Sequence, residues 1–530
     1  VFGLEFVVVL GITVVACGAA SGRLRVAAPV LLLAAGLLLG FVPVLREVEL
    51  PSEVMLLLFL PPLLYWESLT TSLRQIRRDF RSVMLNSTVL VVATAGAVAV
   101  TAHWLGMPWG PAWVLGAAVA PTDATAVAAL AKSLPRRTMT MLRAESLIND
   151  GTALVVYGIA VAVTVGELNL SFAAVSGRFL LSYLGGAAAG ALVAWLGVLV
   201  RRRIDDPVLG NVAALVIPFT AYLLAEFMEA SGVLAVVVCG LIMSQVSIRR
   251  SSPTARIQGA AFWTIATFVL NSALFVLVGI QAQDAVRSLD AGELAVSLWR
   301  ALVVTGVVVA ARFAFFFTMP YLIRLLDRRP EQRARRVGAR PRVLSSLCGF
   351  RGAVSIAAAL GVPLLLDSGE PFPVRDQIVF TTAVVVVLTV VVQGLMLPGV
   401  LRWARLPADA DVEAERRLAL VTTTEAALGV LDATAERLGT DPDVADRMRR
   451  DYEQHLEVLL AEQSEADEEH PARRYDRHDT ELRLELLAVK RTAVVRLRDE
   501  QRIDDNVLRY MQGRIDIEEI RLTGRDDMPE

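Results

Sequence analysis

Apolar residues fill most of the first ~405 positions in long blocks, and short charged stretches separate them. A helix needs ~20 such residues to cross a bilayer, so the pattern predicts about thirteen spans. Their centres fall near residues 11, 34, 61, 92, 121, 154, 189, 216, 239, 270, 308, 354 and 389. Beyond Leu406-Pro407 the pattern changes: charges of both signs alternate, and apolar residues return at helical steps. Four helices are expected there. The first runs from Asp411 to Leu438 and closes at Gly439, a usual helix-end residue. Asp441-Pro442 reads as N-cap and first position of the second, which runs towards Glu465. Acidic residues and His470-Pro471 read as a loop. Thr480 to about Arg502 is the third, with Leu482, Leu486, Val489, Ala493 and Leu497 on one apolar face. Asp505 and Asn506 start the last. The expected fold class is an all-α polytopic membrane protein, with 1–405 in the membrane and 406–530 as a helical, solvated tail.

Composition sharpens this reading. The chain has 530 residues, 55% of them hydrophobic, and its net charge of −2 conceals an apolar, basic-looped first part and a densely charged second. Cys17, Cys239 and Cys348 all fall in apolar segments, which suggests no disulfide framework. His103, His455, His470 and His478 form no cluster of transition-metal ligands. The alternating charges of the tail argue against nucleic-acid binding. The first apolar stretch has no small-residue cleavage site, so it reads as a span and not a signal peptide.

Charge also orients the spans. Arg23 and Arg25, Arg74 to Arg81, Lys132 to Arg137, Arg201 to Arg203, Arg249 to Arg256 and the loop from Arg324 to Arg342 lie in alternate connections. The intervening loops hold few cations, such as Arg46, Arg287 and Arg375. Basic loops stay in the cytoplasm, which predicts an N-terminus outside, a C-terminus inside and an odd number of spans.

Several spans carry groups that lipid should exclude, and an ionisable residue in a span is by default a functional candidate. Glu145-Ser146-Leu147-Ile148-Asn149-Asp150-Gly151 opens the sixth. At helical spacing Ser146 and Asp150 share one line and Glu145 and Asn149 the next. The Ser146–Asp150 line carries a hydroxyl and a carboxylate, hard oxygen groups suited to a small cation or a proton. The third span holds Pro61-Pro62 and then Glu67, which could equally be interfacial. The fifth is broken at Pro121-Thr122-Asp123, where freed backbone groups can ligate ions or present helix-end dipoles. The twelfth has Arg351 between Gly349 and Gly352. A buried guanidinium needs a partner, for which Asp123 and Glu145 are the candidates. Arg312, amid phenylalanines, and Asn271 read instead as packing or snorkelling residues. Interrupted spans at corresponding places in two halves point to a secondary transporter built on repeats, although the halves share no convincing identity.

Taken together, Pro121-Thr122-Asp123, Glu145 to Gly151 and Phe350-Arg351-Gly352-Ala353 closely resemble the monovalent cation:proton antiporter family, in its NhaP-like branch that includes the animal sodium/proton exchangers. The resemblance covers roughly 1–405. It implies a homodimer in the bacterial cytoplasmic membrane, inverted repeats, two crossing interrupted helices and a six-helix core beside a dimerisation domain. It also implies Na+/H+ exchange without a cofactor, serving sodium and pH homeostasis. Asp150 would bind cation and proton beside Asn149. Ser146 and Thr122, the latter through its carbonyl, would help ligate Na+, and Glu67 sits where some prokaryotic members supply another ligand. Glu145 would pair with Arg351, and Asp123 would balance helix ends. The Asn-Asp pair resembles electroneutral members. A cation and a proton competing for one buried carboxylate would then make exchange obligatory. K+/H+ antiport is the near alternative. A channel would need a filter-like loop that is not seen. An intramembrane aspartyl protease using Asp123 and Asp150 would leave Arg351 and Ser146 without a role. The tail reads as a folding or dimerisation appendage or as a regulatory sensor.

Overall fold

A computed structural model describes residues 2–24, 26–43, 52–78, 80–130, 134–166, 172–204, 206–250, 253–287, 291–326, 338–406, 410–461 and 471–523. Arg46, Lys132, Glu465, His470 and most of the basic stretch between Arg324 and Arg342 lie outside them. The described residues are helical with short connections, and their only β pairing is an isolated bridge between Leu365 and Pro371.

The chain divides into two compact units, Val1–Pro407 and Ala408–Glu530. The first begins with α1 (Phe2–Leu24), α2 (Ala28–Leu39), α3 (Ser52–Thr70), α4 (Leu73–Arg78) and α5 (Phe80–Met84). A π-helical stretch, Leu85–Leu90, leads into α6 (Val91–Trp104). Then come α7 (Trp109–Val119), α8 (Ala124–Leu130), α9 (Arg136–Val165), α10 (Phe172–Arg201), α11 (Pro207–Phe227), α12 (Gly232–Arg250), α13 (Pro253–Arg287) and α14 (Ala291–Leu326). The unit closes with α15 (Ala339–Leu347), α16 (Ala353–Leu360), α17 (Arg375–Leu388), a second π stretch at Thr389–Gln393, and α18 (Gly394–Ala404).

By length and composition, nine helices among the described residues could cross a membrane. Eight belong to the first unit, with window hydropathies of 1.6 to 2.5. The ninth, Ala414–Leu438, reaches only 1.2 and lies in the charged second unit, so we do not read it as a span. Ala28–Leu39 and Gly232–Val246 are shorter apolar helices. Pro61 and Pro62 lie inside α3 without ending it.

Two breaks interrupt the apolar pattern. Residues 120–123 separate α7 from α8, and 348–352 separate α15 from α16. Around them pack two apolar clusters, one including Val127, Phe350 and Val386, the other Leu115, Val304 and Phe380. Glycine allows close approach where α2 meets α13. A Cβ on Gly36 would run into the Val276 carbonyl, and one on Gly279 into that of Leu33.

The second unit holds α19 (Ala410–Leu438), α20 (Pro442–Ala461), α21 (Pro471–Asp499) and α22 (Asp505–Thr523). Gly439 is left-handed after α19, as expected of a helix end, and Asp441 accepts from Asp443 N at 2.9 Å ahead of α20. Two expectations need correcting. The third helix begins at Pro471, not Thr480, because a proline at the first position costs no hydrogen bond. Its packed face is also different. Leu487 and Val494 are buried against Leu508 and Ile515, whereas Leu486 is 52% exposed, with Leu482 and Val489 exposed beside it. Both stripes have helical spacing, so periodicity alone could not choose between them.

Candidate ion-binding site

The two breaks meet. Asp123 N donates to Phe350 O at 2.8 Å, which ties one interruption to the other. Each break leaves free N–H groups at a helix start and free carbonyls at a helix end. Asp123 serves the starts. Its Oδ1 accepts from Thr125 N at 2.8 Å, Thr125 Oγ1 at 2.5 Å and Ala126 N at 3.3 Å, so it caps α8. Its other oxygen lies where a Cβ on Gly352, the residue before α16, would have to be. Both helix starts thus have a carboxylate beside their positive ends. Arg351 serves the ends. Its Nε donates to Val119 O at 3.0 Å and its Nη1 to Gly349 O. Its backbone N donates to Thr389 Oγ1 at 3.2 Å, from the second π stretch.

This arrangement corrects the expected pairing of Glu145 with Arg351. Glu145 pairs instead with Arg312, Nη1 to Oε1 at 2.6 Å, and both side chains are only 2% exposed. Asn86 Nδ2, on the first π stretch, donates to the other oxygen at 3.2 Å. Arg312 Nε donates to Ser345 O at 3.1 Å, and its guanidinium lies over the Phe316 ring. The hydrogen bonds of Arg351 go to carbonyls freed by the breaks, and no carboxylate is bonded to it among the described residues. Arg312 is no snorkelling residue, since it sits near the middle of Leu294–Ile323. That central position was the available signal. Asn86 and Thr389 had no signal in the sequence to set them apart.

Thr122, Ser146, Asn149 and Asp150 come together where α9 passes the first break. Ser146 Oγ donates to Thr122 O at 2.8 Å and accepts from Ala124 N at 3.2 Å. Asn149 Nδ2 donates to Thr122 Oγ1 at 2.7 Å. Asp150 is buried, and no hydrogen bond to its carboxylate is found among the described residues. Instead it lines a cavity of about 50 Å3 together with Glu67, Thr122, Asp123 and Ser146. A space of that size holds a small cation or a water. Asn271 lines it too, in contrast to its reading as a packing residue, as does Ser355. Glu145 and Arg351 are not among its lining residues. No cluster of three or more His, Cys, Asp or Glu suited to a metal ion occurs among the described residues. What the cavity offers is separate carboxylates and neutral oxygens, a set suited to a weakly held, exchangeable hard cation.

The family model described as "Sodium/hydrogen exchanger, transmembrane" matches residues 9–403. The chain belongs to this exchanger family. An uncharacterised Na+/H+ exchanger of Mycobacterium bovis is 45% identical over 524 residues, which is 98% of this chain and 96% of the relative. A sodium, potassium, lithium and rubidium/H+ antiporter of Bacillus subtilis is 31% identical, over 70% of this chain and 57% of that one. The sodium proton antiporter MjNhaP1 of Methanocaldococcus jannaschii shares the fold, with a TM-score of 0.57 and 16% identity over 77% of this chain and all of that one. The exchanger is therefore a multi-pass membrane transporter for cation/proton antiport and not an enzyme.

Proposed function

We propose that the chain exchanges Na+, and Li+ with it, for H+ at a single carboxylate, Asp150. The observation that carries this is a buried acid with no hydrogen-bond donor among the described residues, facing a cavity beside the paired helix breaks. A bare anion so placed is costly, and either a proton or a cation relieves it. If only the two neutral forms move, the exchange is obligatory. Thr122, Ser146 and Glu67 supply further oxygens, and Asn149 braces Thr122. With Asp150 as the one carboxylate that trades its proton for the cation, one charge leaves for each that enters, so exchange is electroneutral. The membrane unit works as a homodimer with about thirteen crossings, N-terminus outside and the tail in the cytosol. Alternating access moves a core built on the broken helices against a dimerisation part.

Potassium/proton antiport is the second reading, favoured by the range of ions in the name of the Bacillus subtilis relative. Proteoliposomes carrying a pH-sensitive dye and given Na+, K+ and Li+ in turn separate the two. Asp150→Asn is expected to fold and dimerise but exchange none of them. Exchange retained by that variant would remove Asp150 from the mechanism.

A further inference from the structure

Four hydroxyl-bearing residues among those described line the cavity: Thr122, Thr125, Ser146 and Ser355. Three are already engaged by the protein. Thr122 Oγ1 accepts from Asn149, Thr125 Oγ1 donates to Asp123, and Ser146 Oγ both donates to Thr122 O and accepts from Ala124 N. Ser355 differs. It is 1% exposed, and its Oγ has no hydrogen-bond partner among the described residues. Leaving a buried hydroxyl unpaired is costly, so such a group calls for an explanation.

Three other buried helical serines solve the problem by donating to the carbonyl four residues back. Ser68 does so to Leu64 at 2.6 Å, Ser87 to Val83 at 2.6 Å and Ser346 to Arg342 at 2.8 Å. Ser355 has no such recourse. It is the third residue of α16, and the residue four back, Arg351, precedes the helix. The interruption that creates the site also leaves this hydroxyl free. Asn271, the other polar group in the cavity without an assigned part, is only partly buried and can be met by water.

We propose that Ser355 is a further oxygen ligand of the transported cation, contributed by the second interrupted helix. This rests on the reading of Asp150 as the exchange site. With it, both broken helices furnish cation oxygens, Thr122 from the first and Ser355 from the second. The positive end of α16 does not oppose this, because the Asp123 carboxylate lies against Gly352. A neutral ligand cannot take the proton, so its contribution falls on cation affinity alone.

The test is a Na+ titration of exchange in proteoliposomes of the full chain, comparing wild type, Ser355→Ala, Ser355→Thr and Asp150→Asn. Ser355→Ala is expected to raise the half-saturating Na+ concentration about tenfold, equivalent to ~1.4 kcal/mol, while the maximal rate stays within about twofold. Ser355→Thr keeps the hydroxyl and restores most of the affinity. In detergent, the rise in melting temperature caused by Na+ shrinks in Ser355→Ala. The sodium-free melting temperature does not fall, because alanine removes an unpaired hydroxyl. A half-saturating concentration unchanged in Ser355→Ala, with Asp150→Asn inactive, overturns the inference and leaves the Asp150 reading in place. Activity in Asp150→Asn overturns the reading beneath it.

Discussion

Arg312 and Arg351 are both 2% exposed, yet their burial is compensated in different ways. Arg312 faces a carboxylate, whereas Arg351 faces carbonyls that no longer have helical partners. Their removal should therefore differ in kind. Arg312→Ala strands the Glu145 charge and is expected to cost about 3–5 kcal/mol. Arg351→Ala leaves neutral carbonyls, which cost less apiece, and is expected to harm exchange more than stability. Melting in detergent checks the order. Replacing Arg312 and Glu145 together by methionine and glutamine should recover most of the stability lost by Arg312→Ala, since no bare charge remains. Equal melting temperatures for the two arginine variants would contradict this division. The sequence showed that a buried arginine needs a partner, but which oxygens meet which guanidinium depends mostly on contacts across tens to hundreds of residues.

The interruptions are what turn helices into a site. Pro121 and the glycines around Arg351 announced them, because such residues weaken the hydrogen-bond ladder. Space, not backbone freedom, demands Gly352. Its φ of −138° suits any residue, but a Cβ would overlap the Asp123 carboxylate. Gly352→Ala is thus expected to lose exchange and about 1–3 kcal/mol of stability, read by dye assay and melting curve. In α21 the competing apolar stripes give another test. Leu487→Ala should open the α21–α22 packing at a cost of about 2–5 kcal/mol, whereas Leu486→Ala should change it by less than about 0.5. Limited proteolysis of the full-length chain would show the first variant cut faster within residues 471–523 and the second unchanged.

At the scale of the whole molecule, the two units differ in the solvent each is built for. The first unit exposes leucine, valine and tryptophan side chains along α1, α10 and α11, as a lipid-facing surface does. Charges cover the second, including the exposed bridges from Arg491 to Asp516 at 2.5 Å and Glu519 at 2.6 Å. Such bridges are each worth little, so the few buried contacts of Leu487, Val494, Leu508 and Ile515 carry the packing of α21 on α22. If the tail regulates and does not transport, removing residues after 408 should leave exchange intact and shift its dependence on pH, as measured in proteoliposomes across a pH series. A truncated protein that is folded but inactive would make the tail part of the transport cycle.

Long apolar blocks, the break at Pro121 and the acid at position 150 were determined by the sequence alone, because a bilayer imposes length and polarity limits that composition reveals directly. The alternation of basic loops belongs to the same class of local information. The partner of Glu145, the cap shared by two helix starts, the stripe of α21 that packs and the one unengaged hydroxyl in the cavity were decided only in three dimensions. Each of these turns on competition among chemically similar groups, and proximity in the fold, not spacing along the chain, chooses between them.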